Sequence, residues 1–319
     1  MTLGDNPASS LRGRRRAWLL RLLPFALLLV SAAACDVQSP AATPGAAGHR
    51  PAAAEIRLII TRDFGAVRMH DEVVPSRGEQ DVMTLLAQQA QVETSYGGKF
   101  VNAVDGVRST YGGVVSGDPA DWFYWVDGAM ADVGAADYEL KGGETVWWDY
   151  HEWVGAMSIP ATLSAFPSPW AGEPLDVISA QAWPGLDEWA EENGLQLGDA
   201  RPLSDPPSSG GLVIATAAQA AATPWLSKRL AGNEGMDLVR LDSHGLSLMS
   251  SSADAGPAAQ AVALAMPGDA DGELLLIMIV ESPATAERLF TLLTPDAVAG
   301  HVAMAVADDE LATLPWRKQ

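Results

Sequence analysis

The residues with the most obvious acid–base chemistry are Asp149, His151 and Glu152, beside Trp153. A carboxylate close to an imidazole can orient it to take a proton. Along a strand, however, side chains alternate between faces, which joins Asp149 to His151 and sends Glu152 to the other side. No nucleophile accompanies them. Cys35 is the chain's one cysteine, and the sequence holds no Gly-x-Ser-x-Gly elbow, phosphate loop or dinucleotide fingerprint. The histidines are His49, His70, His151, His244 and His301, and no two are spaced as metal ligands on a shared element. Asp269-Ala-Asp271-Gly272 starts like a calcium loop but lacks the later ligands and reads as a turn. These patterns lead us to expect a protein that is not an enzyme and that holds neither metal nor catalytic cofactor.

The concentrated signal is aromatic. Trp122, Phe123, Tyr124 and Trp125 are consecutive, Trp147, Trp148, Tyr150 and Trp153 follow, and every tyrosine lies between Tyr96 and Tyr150. Four rings in a row on a strand must occupy both faces, Trp122 with Tyr124 and Phe123 with Trp125. One pair is expected to pack on a helix and the other to meet a ligand or partner; the spacing leaves open which. Flat rings suit either task, offering large apolar contact at little cost in rotamer freedom.

Several elements must position these rings. Ala54–Asp63 and Ala66–Val74 read as strands joined by a turn at Phe64-Gly65, and Val82–Val92 as a helix with Asp81 as N-cap. Lys99–Val104, Trp122–Val126 and Thr145–Tyr150 read as strands, with Asp105-Gly106 and Asp127-Gly128 as turns. The order β-β-α-β-β-β has the outline of a β-grasp, a mixed sheet curling around one helix. Beyond residue 155 the proline-rich segment 157–169 reads as a crossover. Strands at Leu175–Ile178, Gly211–Ala215 and Glu273–Val280 then alternate with helices at Gly185–Asn193, Ala217–Leu230 and Ser282–Leu293, and Asp237–Leu241 and Leu246–Met249 form a hairpin. This half is expected to be a small α/β sandwich, so the fold class is α+β.

The N-terminal residues address the chain. Arg12, Arg14, Arg15, Arg16 and Arg21 precede the apolar run Leu22–Val30, which is short for a membrane span and suits a secretory signal. Ser31-Ala-Ala-Ala-Cys35 resembles a bacterial lipobox, with Ala32 where leucine is most usual. The resemblance implies diacylation of Cys35 and cleavage before it, making the lipid bilayer a partner. Arg15-Arg16-Ala-Trp-Leu is similar to a twin-arginine signal, so the export route stays open. Asp36–Ala54 is rich in Ala, Pro and Gly and reads as a tether. After residue 34 there remain 15 basic and 39 acidic residues, a net charge of −24. Such a surface repels phosphates, so no nucleic acid partner is expected.

Thr94-Ser-Tyr-Gly-Gly-Lys-Phe-Val, Asp121-Trp-Phe-Tyr-Trp-Val-Asp-Gly128, Gly134-Ala-Ala-Asp-Tyr138 and Glu144-Thr-Val-Trp-Trp-Asp-Tyr150 occur in an order that resembles the transcobalamin-like C-terminal domain family, over about Glu55–Trp153. The resemblance implies a β-grasp fold and binding of a soluble ligand, cobalamin or another corrinoid, with Tyr96, Gly97, Trp122, Phe123 and Tyr124 at the ligand. Two features depart from the family. Trp122-Phe123-Tyr124 stands where the animal carriers have Tyr-Trp-Gln, and no α-helical barrel accompanies the domain. The expected organisation is a signal at 1–34, a tether at 35–54, the β-grasp domain at 55–154 and an α/β domain of unassigned role at 155–319. The expected protein is a lipid-anchored, extracytoplasmic, non-catalytic lipoprotein that serves a small-molecule ligand or a transporter component. The alternative is a surface module docking a protein or glycan through the aromatic face.

Overall fold

The computed structural model describes residues 54–110, 119–153, 159–207, 210–231, 238–242, 245–251, 254–269 and 273–317, and residues 51–319 form one unit. The signal, Cys35, the tether through residue 53, His49, His244 and Asp271-Gly272 lie outside the described residues.

Alternation sorts strand β1 (Glu55–Arg62) into two faces. Ile56, Leu58 and Ile60 pack toward one side, and Ile59 and Thr61 toward the other. A turn at 63–66 leads into β2 (Val67–Pro75). Then come β3 (Gln80–Asp81) and helix α1 (Val82–Gln89), which Asp81 caps by accepting from the Thr84 N–H at 2.6 Å. β4 (Val92–Ser95), β5 (Phe100–Val104) and β6 (Val107–Arg108) make a small antiparallel sheet. β7 (Ala120–Val126), β8 (Ala129–Met130), β9 (Glu139–Leu140) and β10 (Thr145–Glu152) complete this half.

The main sheet runs β2-β1-β10-β7-β8. β1 and β10 are parallel and the other neighbours antiparallel. Helix α1 lies in the crossover between the parallel pair and covers one face. Val82, Leu85 and Leu86 meet Leu58, Ile60, Val146, Trp148 and Trp122 there. The sequence reading located β1, β2, β5, β7, β10 and this helix, which ends three residues earlier than the apolar pattern suggested. It did not find the two-residue strands β3, β6, β8 and β9, nor β4, whose short pairing with β5 is irregular.

The second half contains β11 (Leu175–Ser179), α2 (Leu186–Glu192), β12 (Leu197–Pro202) and β13 (Gly211–Thr216). Where a single helix was expected over Ala217–Leu230, the chain forms α3 (Ala217–Ala222) and α4 (Pro224–Ala231). Pro224 has no N–H to give and disfavours helical backbone at Thr223, so the run breaks there. β14 (Val239–Asp242) and β15 (Gly245–Met249) pair as the expected hairpin and are joined by β16 (Ala255–Ala259). β17 (Ala261–Pro267), β18 (Leu274–Val280), α5 (Pro283–Leu292), α6 (Pro295–Val298), β19 (Ala303–Ala307) and β20 (Glu310–Leu314) follow.

The larger sheet has the order β12-β11-β13-β18-β17-β19-β20. Every residue of β18 is buried, as an apolar run covered on both faces should be. The chain is therefore α+β, with several sheets. The two large sheets share one core cluster, in which Ile59, Trp125 and Trp147 pack with Leu264, Ile277, Ala299 and Val302. Thus the face of the smaller sheet turned away from α1 is covered by the second half of the chain.

Candidate functional site

Register fixes how the rings are divided. β10 pairs with β7 so that Trp147 lies opposite Trp125, Trp148 opposite Tyr124 and Tyr150 opposite Trp122. On the α1 face, Tyr124 stacks on Trp148 at 5.0 Å and Trp122 packs on Tyr150 at 5.3 Å. Trp122 is 7% exposed and its Nε1–H donates to the Val107 carbonyl. The Tyr124 hydroxyl donates to the Val133 carbonyl at 2.5 Å, and burial pushes its pKa above the usual phenol range. On the opposite face, Trp125 stacks on Trp147 at 4.5 Å and donates to the Ile159 carbonyl.

Of the residues expected at a ligand, Trp122 and Tyr124 therefore share a face and Phe123 lies on the other. Tyr96 stands apart. It sits in the turn Tyr96–Gly98, 83% exposed, with its ring edge-on to Phe100 at 6.3 Å. Gly97 in the same turn takes φ +72, left-handed backbone that suits glycine.

Asp149 and His151 do meet, as alternation requires, between the two large sheets. Asp149 is 0% exposed and accepts from the Thr61 hydroxyl at 2.5 Å, the Phe64 N–H at 2.8 Å, the Gly65 N–H at 3.2 Å and His151 Nδ1 at 2.8 Å. A carboxylate only accepts, which assigns the His151 proton to Nδ1. The imidazole is stacked between Phe64 at 4.3 Å and Phe123 at 4.5 Å, and its Nε2 has no hydrogen-bond partner among the described residues. Thr61 Oγ1 also accepts from Trp147 Nε1 at 2.8 Å. The orienting half of an acid–base pair is present, but rings close both sides of the imidazole and the neighbouring hydroxyl is already engaged twice. Its clear consequence is structural: β1, β10 and the turn after β1 are locked around one carboxylate.

That turn carries left-handed backbone at Asp63, Phe64 and Gly65, which aims two successive N–H groups at Asp149. A Cβ on Gly65 would lie 2.0 Å from the Gly300 carbonyl and 2.4 Å from His301 Nδ1. The His301 ring contacts the Phe64 carbonyl through Nδ1 at 3.3 Å, and burial holds its pKa below the usual histidine range.

Open space lies elsewhere. A cavity of about 430 Å³ is lined by Trp225, Lys228, Arg229 and Leu230 of α4, by Leu264, Ala265 and Met266 of β17, and by Ile159, Pro206 and Val239 among others. It falls in the size range of small-molecule sites. Leu230 and Val239 also line a second cavity of about 170 Å³. Sequence reasoning missed this site because its walls come from segments far apart in the chain. One signal was present: Lys228-Arg229 is one of two adjacent basic pairs after residue 34 in a strongly acidic chain.

Residues 79–152 match the model of a family described as a domain of unknown function, DUF4430. The DUF4430 match spans β3 to β10 and so contains Trp122–Trp125, Asp149 and His151, but not Thr61, Phe64 or Gly65. No curated protein matches the chain. A solved structure from Ruminococcus gnavus, described as a candidate metal-binding protein, is similar at 13% identity with a TM-score of 0.24, covering 31% of this chain and 97% of its own. Among the described residues, no group of three or more His, Cys, Asp or Glu side chains is placed to hold a metal ion.

Proposed function

We propose that this chain is a non-catalytic, lipid-anchored extracytoplasmic protein that binds a small apolar molecule in the 430 Å³ cavity beside α4. The cavity carries the reading: its volume is that of a small-molecule site and its walls are mainly apolar. The β-grasp reading of the first half, with its sheet order β2-β1-β10-β7-β8 and α1 in the parallel crossover, gives that half the part of a rigid partner. A corrinoid lying flat on Trp122 and Tyr124 draws no support from this geometry, because α1 and the small sheet cover that face and the second half covers the other. Titrating the purified chain from residue 36 onward with apolar small molecules tests the proposal. Binding should be measurable and should be weakened by Met266→Trp, which enlarges a side chain on the cavity wall. A wild-type chain that binds none of them, or a folded Met266→Trp variant that binds as well, refutes it.

One observation favours a second reading. Tyr96 offers its ring to solvent from a turn that also contains Gly97, the geometry of a docking tip for a protein or glycan. Partner capture that survives Tyr96→Ala would count against it.

A further inference from the structure

Resting on the cavity reading, we infer that the ligand is an anionic amphiphile, an apolar chain ending in a carboxylate, and that Lys228 selects for its head group. The cavity's two cations are differently placed. Arg229 is committed: its guanidinium donates to the Pro267 carbonyl at 2.6 Å and to Asp269 Oδ1 at 2.5 Å. That pairing also engages Asp269. Lys228 lines the same cavity from the last turn of α4, is exposed, and makes no ion pair with any described residue. An exposed side chain that lines a cavity stands at its mouth. Its ammonium remains hydrated there, at little desolvation cost, while the apolar walls of Leu264, Met266 and Leu230 lie inward.

This polarity matches a molecule with an apolar body and one terminal negative charge. An amine at the same end would face Lys228 across the mouth and be repelled. An uncharged alcohol would keep the apolar contact and forgo the charge-assisted hydrogen bond, which is the stronger kind. Elsewhere the acidic surface turns anions away, so a local cation at an apolar opening confers selectivity as well as affinity.

The test is calorimetric titration of the chain from residue 36 onward with decanoate, decanol and decylamine, on wild type and on Lys228→Gln. This substitution lies at an exposed helix position and leaves the fold intact, which circular dichroism verifies. Wild type should bind decanoate roughly tenfold more tightly than decanol, about 1.4 kcal/mol, and decylamine most weakly. In Lys228→Gln, decanoate should fall to the level of decanol. Equal binding of decanoate and decanol by wild type, or decanoate binding unchanged in Lys228→Gln, overturns the head-group inference and leaves the cavity reading standing. Absence of binding by all three overturns both.

Discussion

His151 Nδ1 donates to Asp149 Oδ2 across 2.8 Å, with the two side chains 1% and 0% exposed. A buried carboxylate with four donors holds the fold most through what its loss would leave behind. Asp149→Ala strands the Thr61 hydroxyl and the Phe64 and Gly65 N–H groups without an acceptor. Unsatisfied buried groups cost about 1–3 kcal/mol each, so urea denaturation should show a loss of at least about 3 kcal/mol. His151→Phe keeps a ring between Phe64 and Phe123 and leaves Asp149 three donors, so it should be clearly milder than His151→Ala. Equal losses would show that the ring stack contributes nothing.

Gly65 and Gly97 both adopt left-handed backbone but differ in their surroundings. A Cβ at Gly97 meets nothing within 4 Å, whereas one at Gly65 meets the Gly300 carbonyl at 2.0 Å. Gly97→Ala should cost about 1 kcal/mol from backbone strain alone. Gly65→Ala should cost considerably more, because the turn and the segment around Gly300 must separate. Thermal melts of the two variants provide the comparison, and similar losses would contradict the close approach.

Two groups give stability a pH dependence of opposite sign. His301 is held below its ordinary pKa by burial. The unfolded chain therefore takes up the proton first, and the stability this group provides, present above about pH 6.5, is lost as pH falls through the folded value. Asp121 is raised, chiefly by burial, against the N–H it accepts from Trp122. Its contribution is fully present below the ordinary carboxylate range and is lost as pH rises through the folded value. Asp121→Asn should therefore gain stability relative to wild type at pH 7, and that gain should vanish toward pH 3. Denaturation midpoints at several pH values decide both cases.

Under the proposed ligand reading, the wall shared by the two cavities should limit the chain length of the ligand. Leu230→Ala should join the 430 Å³ and 170 Å³ spaces and improve binding of tetradecanoate relative to decanoate. It should also destabilise the fold by about 2–5 kcal/mol. An unchanged preference, measured by calorimetry on variant that remains folded, would show that the wall does not limit the ligand.

Lipidation has its own assay. Cys35→Ser in the full chain should abolish incorporation of labelled fatty acid and move the protein from the membrane to the soluble fraction. Retention at the membrane without label would point to another mode of attachment.

Features governed by near neighbours were legible in the sequence. Asp81 capping α1, Ser282 with Pro283 opening α5, and the doubly covered strand β18 each depend on residues a few positions apart. The break at Pro224 follows the same local logic, which the apolar run Ala217–Leu230 obscured. The alternation placing Asp149 with His151 was also readable. That Thr61 and the Phe64-Gly65 turn would close around them was not, since those partners lie 84 to 88 residues away. The division of Trp122–Trp125 between faces was legible, but not that both faces would be covered, because the second cover comes from the far half of the chain. The cavity was beyond reach for the same reason.

The contact between the turn after β1 and the Gly300–His301 segment bears on how the molecule is made. Phe64 and His301 are 237 residues apart, as Arg68 and the Ala299 carbonyl are 231 apart. A chain delivered across a membrane N-terminus first presents β1 at the outset and its last partners near the end. Until residue 301 arrives, the turn lacks its cover and Ile59 and Trp147 keep an apolar face exposed. For a chain exported unfolded and anchored as proposed, folding from the anchored end finishes only when the trailing segment is released, so the interval of greatest risk from proteases and self-association would last for nearly the whole passage.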